Sequence, residues 1–140
     1  MAKDTQLSNA AVNAEADALA RLLDNGYLRV YDGTKPATGN TAISGNNLMS
    51  EHRFSATSAP SATNGVLSFN AITVPSALSG GTPTWFRALK SDGVTSIMDG
   101  TCGATGSGSN LEFASLPLVL GGAVTISSFT HTVPAATTGV

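Results

Sequence analysis

The chain has 140 residues, of which only 11% are charged, and its formal net charge at pH 7 is -2. This length suits one domain, while soluble domains typically carry about 25% charged residues. The seven lysines and arginines do not cluster and no run of about 18 apolar residues occurs, which argues against nucleic-acid binding and against a membrane-spanning helix.

The first predicted element is an amphipathic helix from about Ser8 to Asn25. Apolar residues recur there at helical spacing and form one narrow face. Ser8 is a suitable N-cap, and Gly26 stands where helices commonly end in a left-handed conformation. The apolar face either covers the core of its own domain, which is the more common role, or contacts another subunit. In the second case the candidate interface residues of this helix are Val12, Leu19 and Leu23.

After Gly26 the pattern changes to the two-residue alternation of β-strands. Strands are predicted at 27–31 and 48–55, with a polar surface loop over 37–47 between them. A mobile glycine-rich loop is expected over 100–110. Further short strands are predicted at 66–69, 71–74, 111–115, 118–120 and 124–133.

The strongest local signal is a β-hairpin. Residues 84–91 and 94–99 flank Asp92-Gly93, a dipeptide that suits a tight turn with positive φ. Strand alternation places Trp85 and Phe86 on opposite faces, so we expect Phe86 to be an outward-facing interface residue. Phe129 would face inward if a bulge changed the register of the last strand. The side chains expected in the core are those of Trp85, Leu89, Val94, Val124 and Ile126.

These elements predict a mainly β protein, namely an antiparallel β-sandwich of jelly-roll type with one N-terminal α-helix. No alternation of helices and strands follows Gly26, which argues against a doubly wound parallel sheet. The expected organisation is an N-terminal arm and helix over 1–26, the β-sandwich domain over 27–134 and a flexible tail over 135–140.

The residues that could carry chemistry lack the partners that such chemistry needs. Cys102 cannot form an internal disulfide, and with His52 and His131 it lacks the spacing of a zinc site. His52 stands in a predicted strand, where a structural or interface role is more common than a catalytic one. We therefore predict no catalytic residues, no metal, no cofactor and no enzyme activity.

Three segments resemble small virion proteins of tailed bacteriophages. They are 28–37 (LRVYDGTKPA), 84–88 (TWFRA) with the following Asp92-Gly93, and 123–129 (AVTISSF), and the resemblance spans about residues 9–134. It implies a capsid cement, or head decoration, protein that is made in the host cytoplasm and lies on the outer capsid surface of the virion. The implied partners are the major capsid protein and further copies of the chain, as a homotrimer at local threefold positions of the shell. No nucleic-acid or membrane partner is predicted, because the basic residues are scattered and no long apolar run occurs.

The sparse charge agrees with such a role, because a neutral β-domain can bury wide surfaces with little desolvation cost. One alternative is a tail- or fibre-associated structural or glycan-binding module. Its sugar-stacking platform would consist of Trp85 with Tyr27, Tyr31 and Phe86. Another alternative is a small enzyme, which would need a pocket that couples a histidine to an acid.

Overall fold

The computed structural model of the chain describes the backbone of residues 4–138 and the side chains of residues 4–135. Within these residues the chain forms one helix, α1 (Asn9–Leu23), and nine strands. The strands are β1 (Asp4–Gln6), β2 (Tyr27–Tyr31), β3 (Leu48–Arg53), β4 (Val66–Ser68), β5 (Trp85–Leu89), β6 (Ser96–Ala104), β7 (Leu111–Phe113), β8 (Ile126–Thr132) and β9 (Ala136–Thr138).

Seven strands form one sheet in the order β3-β2-β5-β6-β7-β8-β4. The mainly β class with one helix is therefore confirmed. The expectation of purely antiparallel pairing is wrong, because β6 and β7 run parallel. Their ladder covers only three residue pairs, so the six residues 105–110 suffice to return the chain, and Gly106 and Gly108 adopt the positive φ values that this return needs.

The sheet is strongly curved, as the distance between its ends shows. Neighbouring strands lie about 4.8 Å apart, so the edges of a flat seven-stranded sheet would be about 29 Å apart. Phe54 directly follows edge strand β3 and Phe69 directly follows edge strand β4, yet their ring centroids are 5.5 Å apart. The concave face therefore encloses the main core, to which all strands of this sheet except β4 contribute buried side chains.

Helix α1 begins as predicted, since the Ser8 hydroxyl accepts a hydrogen bond from the Ala11 amide at 3.3 Å. It ends differently, because Asn25 rather than Gly26 has the positive φ, at 56°. Gly26 is required for another reason. A Cβ at this position would collide with the carbonyl oxygen of Leu89, so only glycine lets β2 start this close to β5.

The buried face of α1 packs against the chain between β3 and β4. The small side chains of Ala16 and Ala20 meet Ala59 and Ala62 there, together with Leu67 of β4. Polar groups tie the two segments together at the sides of this contact. The carboxylates of Asp24 and Asp17 accept from the Ser58 and Ala62 amides, and the Asn13 side chain accepts from the Gly65 amide, at 2.7–2.8 Å. The helix thus covers its own domain.

The predicted hairpin of β5 and β6 is confirmed, but its exposure pattern is not. Trp85 and Phe86 are both fully buried, because residues 32–47 cover the convex face of the sheet while the core fills the concave face. The indole Nε1 of Trp85 donates to the Asp32 carbonyl at 3.0 Å under this cover. The prediction that Val94 is buried is wrong, since it is 80% exposed in the turn after Gly93.

Other strand predictions are confirmed in part. Phe129 is buried, and a bulge at Ser127 makes this possible because the pairing of β7 with β8 skips that residue. The segments 71–74 and 118–120 contain no strand, and residues 100–104 extend β6 instead of opening a loop. Within the expected tail, Ala136–Thr138 pair with Asp4–Gln6 as a separate two-stranded sheet. Residues 1–3 of the predicted arm and 139–140 of the tail lie outside the described residues.

Candidate interaction surface

Formal charge is confined to part of the chain. No Asp, Glu, Lys or Arg occurs over residues 54–86, and none follows Glu112. The fold joins these two uncharged stretches, because β4 pairs with β8 and the loop at 75–81 pairs with the loop at 118–124. Backbone hydrogen bonds of 2.7–2.9 Å link Ala77 to Gly122 and Gly81 to Leu118. We call the surface formed by residues 71–82 and 114–127 the neutral face.

The neutral face carries most of the large apolar side chains that are exposed in the described part of the chain. Val74, Leu78, Val119 and Leu120 are 55–71% exposed, and only Leu22 and Val94 are exposed elsewhere among side chains of this kind. Soluble monomers rarely expose clustered apolar groups without a function, and such clusters commonly mark a contact with another macromolecule.

A groove of about 230 Å³ lies beside Val74. The aromatic rings of Phe69 and Phe129 and the side chains of Ile72 and Ile126 form its apolar walls. Small-molecule sites usually measure about 300–1,000 Å³, so this groove suits one or two apolar side chains better than an organic ligand. Its remaining lining residues are Asn70, Ala71, Val74, Ser127 and Ser128, so no side chain of the groove titrates near neutral pH.

The interface residues predicted from the sequence lie elsewhere, and three of them are not at the surface. Val12, Leu23 and Phe86 are fully buried within the chain, so these three assignments are corrected. Leu19 is half-buried and packs against the cluster under α1. Sequence reasoning missed the neutral face, although the two long stretches without charge were visible in the sequence.

The aromatic platform proposed for a sugar is also buried. Trp85 stacks on Tyr31 with ring centroids 4.7 Å apart, and residues 32–47 shield both rings from solvent. Tyr27 instead lies under guanidinium groups, with Arg53 at 4.0 Å and Arg29 at 5.4 Å from its ring centroid. These aromatic residues therefore form no open stacking surface.

The one histidine of β3 belongs to a buried hydrogen-bonded chain. A carbonyl oxygen only accepts, so Nδ1 of His52 donates to the Thr73 carbonyl at 2.9 Å, and Nε2 then accepts from the Ser50 hydroxyl at 3.0 Å. This pairing has the form of a nucleophile and its base, but both side chains are fully shielded from solvent. The hydrogen bonds of Ser50, His52 and Thr73 link edge strand β3 to residues 69–74, the segment that lines the groove.

We expect the free energy of unfolding to fall as the pH is lowered from about 7.5 to about 5.5. Burial lowers the pKa of His52 below its ordinary value of 6.5, against a smaller opposing effect of the Thr73 hydrogen bond, and burial also lowers the pKa of His131. The unfolded chain therefore takes up protons at higher pH than the folded chain does. The stability contributed by the two uncharged histidines is fully present above the pKa that they have in the unfolded chain, and it is lost as the pH falls below that value. Urea unfolding at both pH values measures this difference.

The variant His52→Gln tests the assignment of this pH effect. It removes one of the two titrating rings, each of which contributes a slope of at most about 1.4 kcal/mol per pH unit. Carboxyl groups ordinarily titrate near pH 4 and add little in this window. The variant should be less stable at the higher pH and should show a shallower pH dependence. A profile parallel to that of the wild type would contradict the assignment.

The remaining candidate groups are shielded or isolated. Cys102 is buried in β6, and burial raises the pKa of its thiol to about 12, so the thiol stays protonated at neutral pH. Among residues 4–138 no three His, Cys, Asp or Glu side chains converge as they would to bind a metal ion. Over the same residues the helix is too short to cross a membrane.

Comparison of the chain with family models, with curated proteins and with solved structures finds no match.

Proposed function

We propose that this chain is a structural virion protein of a tailed phage that binds the outer capsid surface and stabilises the head as a cement, or decoration, protein. The observation that carries the proposal is the neutral face. Its exposed leucine and valine side chains, and the apolar groove beside them, suit a protein whose working state is an assembly.

The chemistry of the neutral face favours a protein partner over a soluble ligand. An extended surface without charge is weakly solvated, and burying it removes apolar area from water without stripping the hydration of ions. Interface cores are depleted of charged residues for the same reason. A groove smaller than a typical ligand site and without a titrating side chain supports an assembly role over the enzyme alternative.

The location on the capsid follows from the resemblance. Small phage virion proteins of this kind are usually recognised only as virion components, and the role that best fits their size is that of a cement protein, which would bind the major capsid protein and further copies of itself. The curvature that brings Phe54 close to Phe69 resembles the way in which the two layers of a jelly roll face each other, and this supports a jelly-roll-type domain. In the proposal the protein is a homotrimer without enzyme activity, made in the host cytoplasm and carried on the virion.

Adding the purified protein back to heads that lack it tests the proposal. We expect saturable binding to the heads and a higher temperature of head rupture. A ligand that binds only the assembled shell stabilises it by about 2.7 kcal/mol per site at a free concentration of 100 times the dissociation constant. Occupancy is measured by sedimentation of the heads, and rupture by the release of DNA on heating.

Two outcomes would contradict the cement assignment. Protein that stays in the supernatant with heads and co-purifies with isolated tails would support the tail- or fibre-associated alternative. Protein that binds heads at full occupancy without changing the rupture temperature would be a decoration without a cement function. Heads that already carry the protein serve as the control, because added protein should change neither their occupancy nor their rupture.

A further inference from the structure

We propose that the neutral face is a self-association surface, at which one copy of the chain binds the neutral face of a second copy. This inference rests on the proposed function for its biological setting, since it identifies the surface that would hold the copies of the oligomer together. It concerns the free protein in solution and does not require a capsid.

The lack of charge on the neutral face restricts which surfaces can bind to it. A charge buried against the neutral face would find no counter-charge there, and an unpaired buried charge costs several kcal/mol. The opposing surface must therefore also be uncharged over the contact area. A second neutral face satisfies this requirement by identity of sequence, because neither residues 71–82 nor residues 114–127 include a charged side chain. The charged residues of the chain all lie within 3–53 and 87–112, so surfaces formed by those stretches do not satisfy the requirement.

Two of the exposed apolar side chains of the neutral face, Val119 and Leu120, lie in a hydrogen-bonded turn. The Gly122 amide donates to the Val119 carbonyl at 2.8 Å, and Gly121 has a φ of 80°, so Val119 and Leu120 occupy the first two positions of a tight turn. Surface turns are usually built from polar residues, glycine and proline. A leucine and a valine fixed at the tip of such a turn lose little conformational freedom on binding, which favours association.

The groove beside Val74 provides a complementary site for such a side chain. Its volume of about 230 Å³ and its walls of phenylalanine and isoleucine suit a leucine from the next copy. Every copy therefore offers both protruding apolar side chains and an apolar groove on the same face. A contact in which each copy inserts into its neighbour's groove closes into a ring when the rotation between copies permits.

The number of exposed residues on the neutral face is somewhat below the lower end of the range for stable interfaces. Seven residues of 71–82 and nine residues of 114–127 are exposed, and none of them is charged. Stable interfaces commonly involve about 20–30 residues a side. The small side chains of alanine, serine and threonine around Leu78 and Leu120 allow close approach of the two surfaces, and their hydroxyl groups can pair across the rim.

Sedimentation equilibrium of the purified chain over a hundredfold range of concentration tests the inference. The wild-type protein should associate, and the variants Leu120→Lys and Leu78→Lys should each weaken association at least tenfold. The control is Val94→Lys, which adds the same charge at an exposed position in the turn between β5 and β6 and should associate like the wild type. Circular dichroism and thermal unfolding show whether each variant is folded.

The outcomes separate this inference from the proposed function. A wild-type chain that is monomeric throughout the range overturns the inference, and so does an oligomer that both lysine variants leave intact while they remain folded. If the chain is monomeric yet binds heads, self-association through the neutral face is wrong and the cement proposal stands. If it associates through this face but does not bind heads, the cement proposal fails and the self-association surface stands.

Discussion

The variant Asp99→Ala should lower the free energy of unfolding by about 3–5 kcal/mol, because it leaves a buried guanidinium without its counter-charge. Arg87 and Asp99 stand directly opposite each other on β5 and β6, and two hydrogen bonds of 2.7 and 2.8 Å join them. Their side chains are only 7% and 4% exposed. Once the carboxylate is removed, the Thr38 carbonyl at 3.4 Å is the one remaining acceptor described for Arg87. Urea unfolding at neutral pH measures the loss.

The neighbouring ion pair of the same sheet provides a matched control. Arg29 and Glu51 are also 2.7 Å apart on adjacent strands, but their side chains are 26% and 38% exposed. Water can solvate Arg29 after the change Glu51→Ala, so this variant should lose at most about 1 kcal/mol.

A double replacement separates the cost of an unpaired charge from the cost of changed packing. Substituting both Arg87→Leu and Asp99→Leu removes the two charges together, and the stability should recover most of what Asp99→Ala loses. Equal losses for Asp99→Ala and Glu51→Ala would show that the cover formed by residues 32–47 does not exclude water from the buried pair.

The variant Phe129→Ala should lower the free energy of unfolding by about 3–5 kcal/mol, the usual range for truncating a buried phenylalanine. The Phe129 ring lies at the centre of an aromatic cluster, with ring centroids 4.3 Å from Phe69, 5.1 Å from Phe86 and 6.1 Å from Phe54. These rings come from opposite ends of the curved sheet and from its middle. Removing Phe129 leaves a cavity where the two ends of the sheet meet, and thermal and urea unfolding both report its cost.

Two further variants show whether the effect belongs to this cluster. Leu22→Ala truncates a side chain that is exposed on α1 and should change stability by no more than about 0.5 kcal/mol. Phe129→Leu retains most of the buried volume and should cost clearly less than alanine does. A loss below about 1 kcal/mol for Phe129→Ala would mean that the aromatic cluster does not hold the ends of the sheet together.

The sequence by itself determined the elements that depend on interactions between residues close together in the chain. The strand at 27–31 has the predicted bounds, Ser8 caps α1, and the Asp92-Gly93 dipeptide lies in the hairpin turn. Each depends on groups within a few residues of one another, such as a hydroxyl near a helix amide or a glycine that tolerates positive φ. The mainly β class follows from the same short-range alternation.

Burial and the candidate surface were decided by contacts between residues distant in the sequence. The alternation of side chains along a strand predicts that one face of β5 is exposed to solvent. Residues 32–47 cover that face, so Phe86 and Trp85 are both buried. The sequence by itself shows two stretches without charge, 54–86 and 113–140, and says nothing of their relative position. Only the tertiary hydrogen bonds between the loops at 75–81 and 118–124 bring them together, because side-chain exposure depends on what packs against a segment rather than on its own residues.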